Sequence, residues 1–169
     1  MSNIKFFRTK KQKIYWVLSW FLTAFLMTLD RLSKNFVLDN FKNGSIKIFD
    51  GFDITLSFNR GVSFGFLNFS QDRLFYILSI FIAIFIVIFL MYTSIMFKKG
   101  ESTWFNFFIL AGAYSNLLDR FIYGAVIDFV DLYIKSWHWP IFNLADVFIV
   151  FGVFGLLGRM FYHDYFRKD

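Results

Sequence analysis

The sequence contains no cysteine, only two histidines and a single proline, Pro140. The absence of cysteine excludes disulfides, thiolate metal sites and cysteine nucleophiles. Two histidines, His138 and His163, are too few for a histidine zinc cluster, and they give a Ser-His-Asp triad little support. Charged residues are also scarce, at 18% of the chain. Any polar chemistry therefore depends mainly on carboxylates, amides and dispersed basic side chains.

Apolar residues dominate the chain. Of 169 residues, 57% are hydrophobic and 24% are aromatic, with 28 phenylalanines. A soluble domain of this size could not keep so much apolar surface out of water, whereas a bilayer accepts it. The net charge of +6 comes from basic residues spread around apolar runs, a pattern typical of membrane topology rather than nucleic-acid binding. We therefore expect residues 1–169 to form a single integral membrane domain with no nucleic-acid partner.

Four apolar segments predict membrane-spanning helices, at about residues 14–30, 74–97, 102–120 and 143–162. The first segment follows basic residues, as a signal peptide does, but no A-x-A-like cleavage site closes it, so we interpret it as a retained span. Basic residues cluster on one side of the predicted bundle: Lys5, Arg8, Lys10, Lys11 and Lys13; Lys98 and Lys99; Arg159, Arg167 and Lys168. The positive-inside rule then places both termini in the cytoplasm.

The two loops on the outer side, residues 30–73 and 119–142, carry further signals. After Asp30 the sequence predicts a loop helix that stops at Asn43-Gly44. Alternating segments at 46–49 and 52–58 flank Asp50-Gly51, and alternation around an Asp-Gly turn predicts a β-hairpin. The expected fold class is an all-α polytopic membrane protein with four transmembrane helices, a loop helix and a small extracytoplasmic sheet.

Carboxylates near a bilayer are costly unless they are paired, protonated or exposed to water, so each is a functional candidate. Asp30 and Lys34 are spaced i,i+4, and a helix ion pair is the simpler interpretation. Asn143 and Asp146 fit a capping box at the start of the fourth helix. That role leaves unexplained why a carboxylate, rather than a neutral residue, stands one turn into a membrane helix.

The third span ends in Asn116, Asp119 and Arg120. A negative Asp119 opposes the helix dipole there, and we expect Arg120 beside it to compensate. Asn116 either holds helices together or binds substrate. Asp128 lies between apolar residues in the second outer loop, where desolvation should raise its pKa. A purely structural role for Asp128, such as capping a loop, is not convincing.

All these polar groups lie at the outer ends of spans one, three and four or in the adjoining loops. One alternative is a small carrier or channel component with the aspartates as proton or cation ligands, but its charges belong nearer the midplane. A second is a non-catalytic assembly protein whose polar groups join helices. The position of the acids favours acid–base catalysis by an aspartate pair at the membrane surface.

Five sequence blocks in order carry a family resemblance. They are L-D-R-L-S-K (Leu29 to Lys34), F-N-R-G-V-S-F-G (Phe58 to Gly65), A-G-A-Y-S-N-L-L-D-R (Ala111 to Arg120), G-A-V-I-D-F (Gly124 to Phe129) and W-P-I-F-N-L-A-D (Trp139 to Asp146). With these blocks the chain resembles lipoprotein signal peptidase, or signal peptidase II, along nearly its whole length. Each block is weak alone, but five in order between four spans are specific. The chain departs at Ser115, where the family usually has glycine.

The resemblance implies a four-helix aspartyl endopeptidase of the bacterial cytoplasmic membrane with a β-cradle and an active site at the outer leaflet. It places the catalytic pair at Asp128 and Asp146 and implies no metal or cofactor. The implied substrate is a prolipoprotein whose lipobox cysteine carries diacylglycerol, cut just before that cysteine. Membrane lipids and globomycin-type cyclic peptide inhibitors are the other implied partners. Residues implied to line or support the site are Asp30, Lys34, Asn59, Gly61, Asn116, Asp119, Arg120 and Asn143, with Asn116 and Arg120 holding substrate carbonyls and Asp119 holding local structure.

Overall fold

The computed structural model describes residues 9–41, 45–61 and 72–166 of the chain. Within these residues it has four helices and one antiparallel sheet. The helices are α1 (Lys10–Asn40), α2 (Asp72–Lys99), α3 (Trp104–Tyr123) and α4 (Leu144–Phe166). The strands are β1 (Ser45–Phe49), β2 (Phe52–Asn59), β3 (Val126–Ile134) and β4 (Trp137–His138), in the spatial order β1-β2-β3-β4. Each predicted span overlaps one of these helices.

Helix α1 is longer than the span predicted from the sequence. Thr9 caps its start, with the backbone N–H of Gln12 donating to the Thr9 hydroxyl over 3.1 Å, and the helix continues without interruption past Asp30 to Asn40. The helix predicted after Asp30 is present, but it is continuous with the first span, because the chain from 10 to 40 contains neither glycine nor proline to end the first helix. At 31 residues, α1 is about 46 Å long and exceeds the roughly 30 Å hydrocarbon core.

The sheet confirms the predicted hairpin and extends it. Strands β1 and β2 pair antiparallel around Asp50-Gly51, and Gly51 has φ +97°, a conformation that favours glycine. The sequence did not predict β3 and β4, so the sheet has two strands more than the predicted hairpin. Strand β3 lies along β2 with Asp128 opposite Ser57. Its partner strand is about 70 residues earlier, too distant for a local pattern to reveal the pairing.

Two of the described helices are long and apolar enough by themselves to cross a membrane. They are Arg73–Lys99, with a mean hydropathy of 3.1, and Leu144–Tyr162, with 1.9. Helices α1 and α3 carry about half of the polar residues that form the site described below: Asp30, Arg31, Lys34, Ser115, Asn116, Asp119 and Arg120. All four helices expose large apolar side chains, such as Phe21, Phe81 and Phe154, and apolar exposure on this scale indicates a partner surface or a membrane.

Glycines bring α3 and α4 into close contact. A Cβ added at Gly112 would collide with the backbone carbonyl of Ala145, and one added at Gly152 would collide with Ile109 and the backbone of Phe105. The absent side chains allow the two helix backbones to approach closely, as small residues do in membrane helix pairs. The Gly112–Ala145 contact lies one turn from Asn116 and one residue from Asp146. It therefore sets how near the polar groups of α3 and α4 can come to each other.

The predicted helix stop at Asn43-Gly44 lies outside the described residues. The same is true of the last four residues of the F-N-R-G-V-S-F-G block and of the basic residues Lys5, Arg8, Arg167 and Lys168.

Candidate active site

Asp128 lies on β3, with its carboxylate buried between two amide side chains. Its Oδ1 accepts a hydrogen bond from Asn143 Nδ2 over 2.6 Å, and its Oδ2 accepts one from Asn59 Nδ2 over 2.9 Å. Asn59 is itself fixed, because its Oδ1 accepts the backbone N–H of Gly61 over 2.8 Å. Burial raises the pKa of Asp128 to about 7, and the nearby charge of Asp146 acts in the same direction. The sequence-based expectation of a desolvated Asp128 is confirmed.

Asp146 lies in the first turn of α4 and forms the predicted capping box. Its backbone N–H donates to Asn143 Oδ1 over 3.0 Å, and its Oδ2 accepts the backbone N–H of Asn143 over 3.3 Å. The remaining oxygen, Oδ1, accepts a hydrogen bond from Asn116 Nδ2 of α3 over 2.8 Å. The carboxylate thus caps its own helix and also contacts a neighbouring one.

Asn143 joins the two aspartates. Because its Oδ1 accepts the N–H of Asp146, its Nδ2 faces the other way, towards Asp128. The same Nδ2 lies 3.2 Å from the carbonyl oxygen of Ile127 and 3.1 Å from Asn116 Oδ1. Asn143 is fully buried, so this arrangement is shielded from solvent. Asn143 therefore connects carboxyl groups that are 18 residues apart in the sequence, through its side chain to Asp128 and through its backbone N–H to Asp146.

A cluster of buried ions lies beside the aspartate pair. Lys34 Nζ is 2.6 Å from Asp30 Oδ2, 2.8 Å from Asp119 Oδ2 and 3.0 Å from Asn116 Oδ1. These contacts use all three donors of an ammonium group. The second oxygen of Asp30 accepts the backbone N–H of Ala145 over 2.9 Å. The predicted Asp30–Lys34 helix pair is present, and it belongs to a larger network that connects α1 with α3 and α4.

Ser115, where this chain departs from the family pattern, has a partner of its own. Its hydroxyl donates to Asp30 Oδ2 over 2.5 Å. Glycine at this position would leave Asp30 with Lys34 and the Ala145 N–H alone. The substitution therefore adds one charge-assisted hydrogen bond to the cluster.

Arg120 interacts with the charge of Asp119 as expected, but the described contacts include no ion pair between the two side chains. Asp119 forms ion pairs with Arg31 and Lys34 and accepts the backbone N–H of Ile127 over 3.3 Å. Adjacent residues of a helix point in different directions, so Arg120 faces elsewhere. Its guanidinium donates to the carbonyl oxygens of Asn116 over 3.2 Å and Gly61 over 3.0 Å.

Sequence reasoning missed Arg31. The signal was available, because Arg31 and Lys34 are spaced i,i+3 on α1 and such residues are neighbours on a helix surface.

Every predicted site residue belongs to one connected set of contacts, which we call the buried polar network. Its members are Asp30, Arg31, Lys34, Asn59, Gly61, Ser115, Asn116, Asp119, Arg120, Asp128, Asn143 and Asp146. Among these described residues, four carboxyl groups stand against three cations, which leaves one negative charge uncompensated if every group is ionised. In the described part of the chain, no group of three or more His, Cys, Asp or Glu side chains is placed to hold a metal ion.

The fold is similar to that of a bacterial membrane enzyme. The structure is similar to a bacterial membrane enzyme solved by the in meso method at 2.3 Å resolution, with a TM-score of 0.73 and 25% sequence identity. The similarity covers 90% of this chain and 92% of that one.

The particular family follows from the sequence. The model of the signal peptidase II family matches residues 22–162. The chain is 39% identical over 128 residues to the lipoprotein signal peptidase of Wigglesworthia glossinidia brevipalpis, covering 75% of this chain and 83% of that protein. It is 34% identical over 175 residues to the lipoprotein signal peptidase of Janthinobacterium sp. (strain Marseille), covering 99% and 97%. The chain belongs to the signal peptidase II family, and the predictions of this family and of a peptidase are confirmed.

Proposed function

We propose that this protein removes the signal peptide from prolipoproteins whose lipobox cysteine carries diacylglycerol, cutting just before that cysteine, and that Asp128 and Asp146 are its catalytic pair. The observation that carries the proposal is the junction at Asn143, whose side chain donates to the Asp128 carboxyl from β3 and whose backbone N–H donates to the Asp146 carboxyl from α4. Membership of the signal peptidase II family supports the substrate class.

The charge of the buried polar network supports a pair that shares one proton. Four carboxyl groups and three cations become neutral when one proton is held between Asp128 and Asp146. Desolvation favours that neutral state, because an uncompensated buried charge is costly. The raised pKa of Asp128 agrees with a proton held there near neutral pH. The titration belongs to the pair, so we assign the base and the acid to the pair and not to single residues.

The reaction then needs only these two groups and a water molecule. The ionised carboxyl takes a proton from water, whose oxygen attacks the carbonyl carbon of the scissile peptide. The protonated carboxyl donates to the carbonyl oxygen and stabilises the tetrahedral intermediate. Collapse breaks the C–N bond and delivers a proton to the leaving amine, which is the new N-terminus on the lipidated cysteine. Proton transfer of this kind accelerates reactions by about 10²–10⁴-fold.

The other members of the network have supporting roles in this proposal. Asn116 and Arg120 bind groups of the protein itself: Asn116 contacts Lys34, Asn143 and Asp146, and Arg120 holds the Gly61 carbonyl. We therefore infer that they position the aspartates and the end of β2 rather than substrate carbonyls. The pairs of Asp30 and Asp119 with Lys34 fix α1 against α3.

The proposed arrangement is a single domain with four membrane-spanning helices, both termini in the cytoplasm, and the sheet and aspartates at the outer leaflet. Lys10 and Asp30 support it, since they are 20 residues apart on α1, about 30 Å at the helical rise and close to one hydrocarbon thickness. Membrane lipids and globomycin-type cyclic peptides remain proposed partners.

Cysteine labelling tests the topology on a chain that has no native cysteine. Asp50→Cys is the better outer probe, because the Asp50 side chain is 94% exposed whereas Gly51 has the positive φ noted above. Lys99→Cys is the matched probe at the other face. A membrane-impermeant maleimide added to intact cells or spheroplasts should label Asp50→Cys only. Labelling of Lys99→Cys alone would show that the orientation is inverted.

A cleavage assay tests the activity. The purified chain in detergent should shorten a lipidated precursor by the mass of its signal peptide and leave the same precursor with serine at the lipobox position intact. Asp128→Asn and Asp146→Asn should lose this activity, whereas Asp39→Asn, the same change at an exposed carboxylate of α1, should retain it. A carrier or an assembly protein would cleave nothing. Equal cleavage of the unlipidated precursor would contradict the proposed substrate class.

A further inference from the structure

A cavity of about 310 Å³ lies at the opposite end of the helices from the aspartates. It opens between the first turn of α1 and the connection from α2 to α3, and we call it the end cavity. Its walls include Thr9, Lys11, Glu101, Thr103 and Trp104. The volume corresponds to roughly ten water molecules at their share of liquid volume, which is enough for a charged headgroup. Nothing in the proposed peptidase mechanism uses this cavity.

Two helix N-termini border the end cavity, α1 at Thr9 and α3 at Thr103. The first backbone N–H groups of a helix lack intrahelical partners, and the helix dipole makes that end partly positive. Thr9 caps α1 through the Gln12 N–H. Thr103 occupies the capping position of α3, but its hydroxyl makes no capping hydrogen bond.

Thr103 is therefore available to a ligand. Thr103 is only 5% exposed, and it is one of the residues that line the end cavity. Among the described residues, its hydroxyl has no hydrogen-bond partner. Among the described residues, the hydroxyl is not one of the fully buried side-chain atoms without a partner, so it is open to the cavity, where an acceptor atom could take its hydrogen bond.

The charges around the end cavity favour an anion. Lys11 lies on its wall, with its ammonium 5.9 Å from the centre of the Tyr15 ring. Glu101 also lies on the wall, but Arg159 binds its carboxylate over 2.6 Å. The C-terminal end of α2 is nearby, and Lys98 and Lys99 in its last turn oppose its negative dipole.

Aromatic rings place the end cavity at a membrane surface. Tyr15 and Trp104 both line it, and their rings meet edge to face with centroids 5.9 Å apart. Tyrosine and tryptophan are enriched where the hydrocarbon meets the headgroups. The anion that this cavity encounters is therefore more naturally a lipid headgroup than a free ion.

We propose that the end cavity binds the phosphate group of an anionic phospholipid, held by Lys11, the Thr103 hydroxyl and the first backbone N–H groups of α3. In the proposed topology this lipid belongs to the cytoplasmic leaflet. The site is about one membrane thickness from the aspartates, so it does not depend on the proposed catalytic pair.

Native mass spectrometry and thermal unfolding of the full chain in a neutral detergent test the proposal, with short-chain phosphatidylglycerol as the probe. We expect one retained lipid and a raised unfolding temperature for the wild type. Lys11→Gln and Thr103→Val should each weaken the lipid Kd about tenfold, equivalent to about 1.4 kcal/mol. Lys10→Gln is the matched control, because it removes the same charge one residue away from the cavity wall. All three variants should still cleave lipidated precursor, which verifies that they fold.

Three outcomes would overturn the proposal. Equal phosphatidylglycerol affinity in the wild type and in both cavity variants would show binding to the apolar exterior only. Equal binding of zwitterionic phosphatidylcholine would remove the preference for an anion. Saturation by inorganic phosphate at millimolar concentration would identify a free ion, not a lipid, as the ligand. If Thr103→Val does not fold, Lys11→Gln against Lys10→Gln still decides.

Discussion

Asp128→Asn is expected to destabilise the protein as well as to stop cleavage, because both oxygens of Asp128 accept hydrogen bonds from amide groups. Asn143 Nδ2 donates to one oxygen over 2.6 Å and Asn59 Nδ2 to the other over 2.9 Å. An asparagine at 128 would turn its own NH₂ towards one of these donors. A buried donor left without an acceptor costs about 1–3 kcal/mol. The single variant therefore cannot separate a catalytic Asp128 from a structural one.

A second substitution, Asn59→Asp, should repair the hydrogen bonds without returning the carboxylate to position 128. In the double variant, one oxygen of the carboxylate introduced at position 59 still accepts the Gly61 N–H that Asn59 binds now. Its other oxygen accepts the NH₂ of the amide introduced at position 128, and the oxygen of that amide accepts from Asn143. The number of hydrogen bonds and the total charge are unchanged, and only the carboxylate has moved. We expect the double variant to recover most of the lost 1–3 kcal/mol, within the range of coupling energies for residues in contact.

Thermal unfolding in detergent and cleavage of lipidated precursor should be measured on the wild type, both single variants and the double variant. Asn59→Asp alone should also lower stability, since it faces a second carboxylate at Asp128. The expected result is a double variant close to wild-type stability whose cleavage stays at least about 100-fold reduced, as loss of an acid–base group implies. Near wild-type cleavage by the stable double variant would refute a catalytic Asp128.

The same contacts lead to three further predictions. Lys34→Met leaves two buried carboxylates without their shared cation and should lower the free energy of unfolding by about 3–5 kcal/mol, seen as a lower unfolding temperature. The control, Lys99→Met at an exposed position, should change little. Equal effects of the two substitutions would contradict the buried ion cluster. Gly112→Ala pushes α4 away from α3 and should lower both stability and cleavage, whereas Gly158→Ala, where an added Cβ meets nothing, should be neutral; a neutral Gly112→Ala would show that the helices can separate without cost. Burial raises the pKa of Asp128 from 3.8 to about 7, so between these pH values the folded protein keeps a proton that the unfolded chain has lost. The free energy of unfolding should therefore fall as pH rises from about 4 to about 7. Unfolding measured as a function of pH should show this slope, and the slope should be smaller in Asp128→Asn.

Local patterns predicted the elements that depend on neighbouring residues. The hairpin at Asp50-Gly51 and the capping box of Asn143 and Asp146 each need fewer than a dozen consecutive residues, and both are present. The pairing of β3 with β2 joins segments far apart in the chain, and no period-two pattern in β3 indicates it. Asp128 was therefore expected in a loop although it lies on a strand.

The candidate residues were predictable from the family blocks, but their contacts were not. Adjacency in sequence suggested a pair between Asp119 and Arg120, whereas the helical turn directs Asp119 to Arg31 and Lys34 on another helix. Spacing on α1 alone gives the Asp30–Lys34 pair. It cannot give the contacts with α3 and α4, because those depend on how closely glycines let the helices pack.

The near balance of charge in the buried polar network limits what a precursor can bring to the aspartates. With one shared proton the network is neutral, and its described cations already contact acceptors of the protein. An acidic residue immediately before the scissile bond would add a negative charge to a neutral, desolvated network, at a cost of several kcal/mol. A basic residue there would compete for the carboxylate that must activate water. Precursors processed by this protein are therefore expected to carry an uncharged residue immediately before the lipidated cysteine, a restriction imposed by the enzyme's own ion pairs.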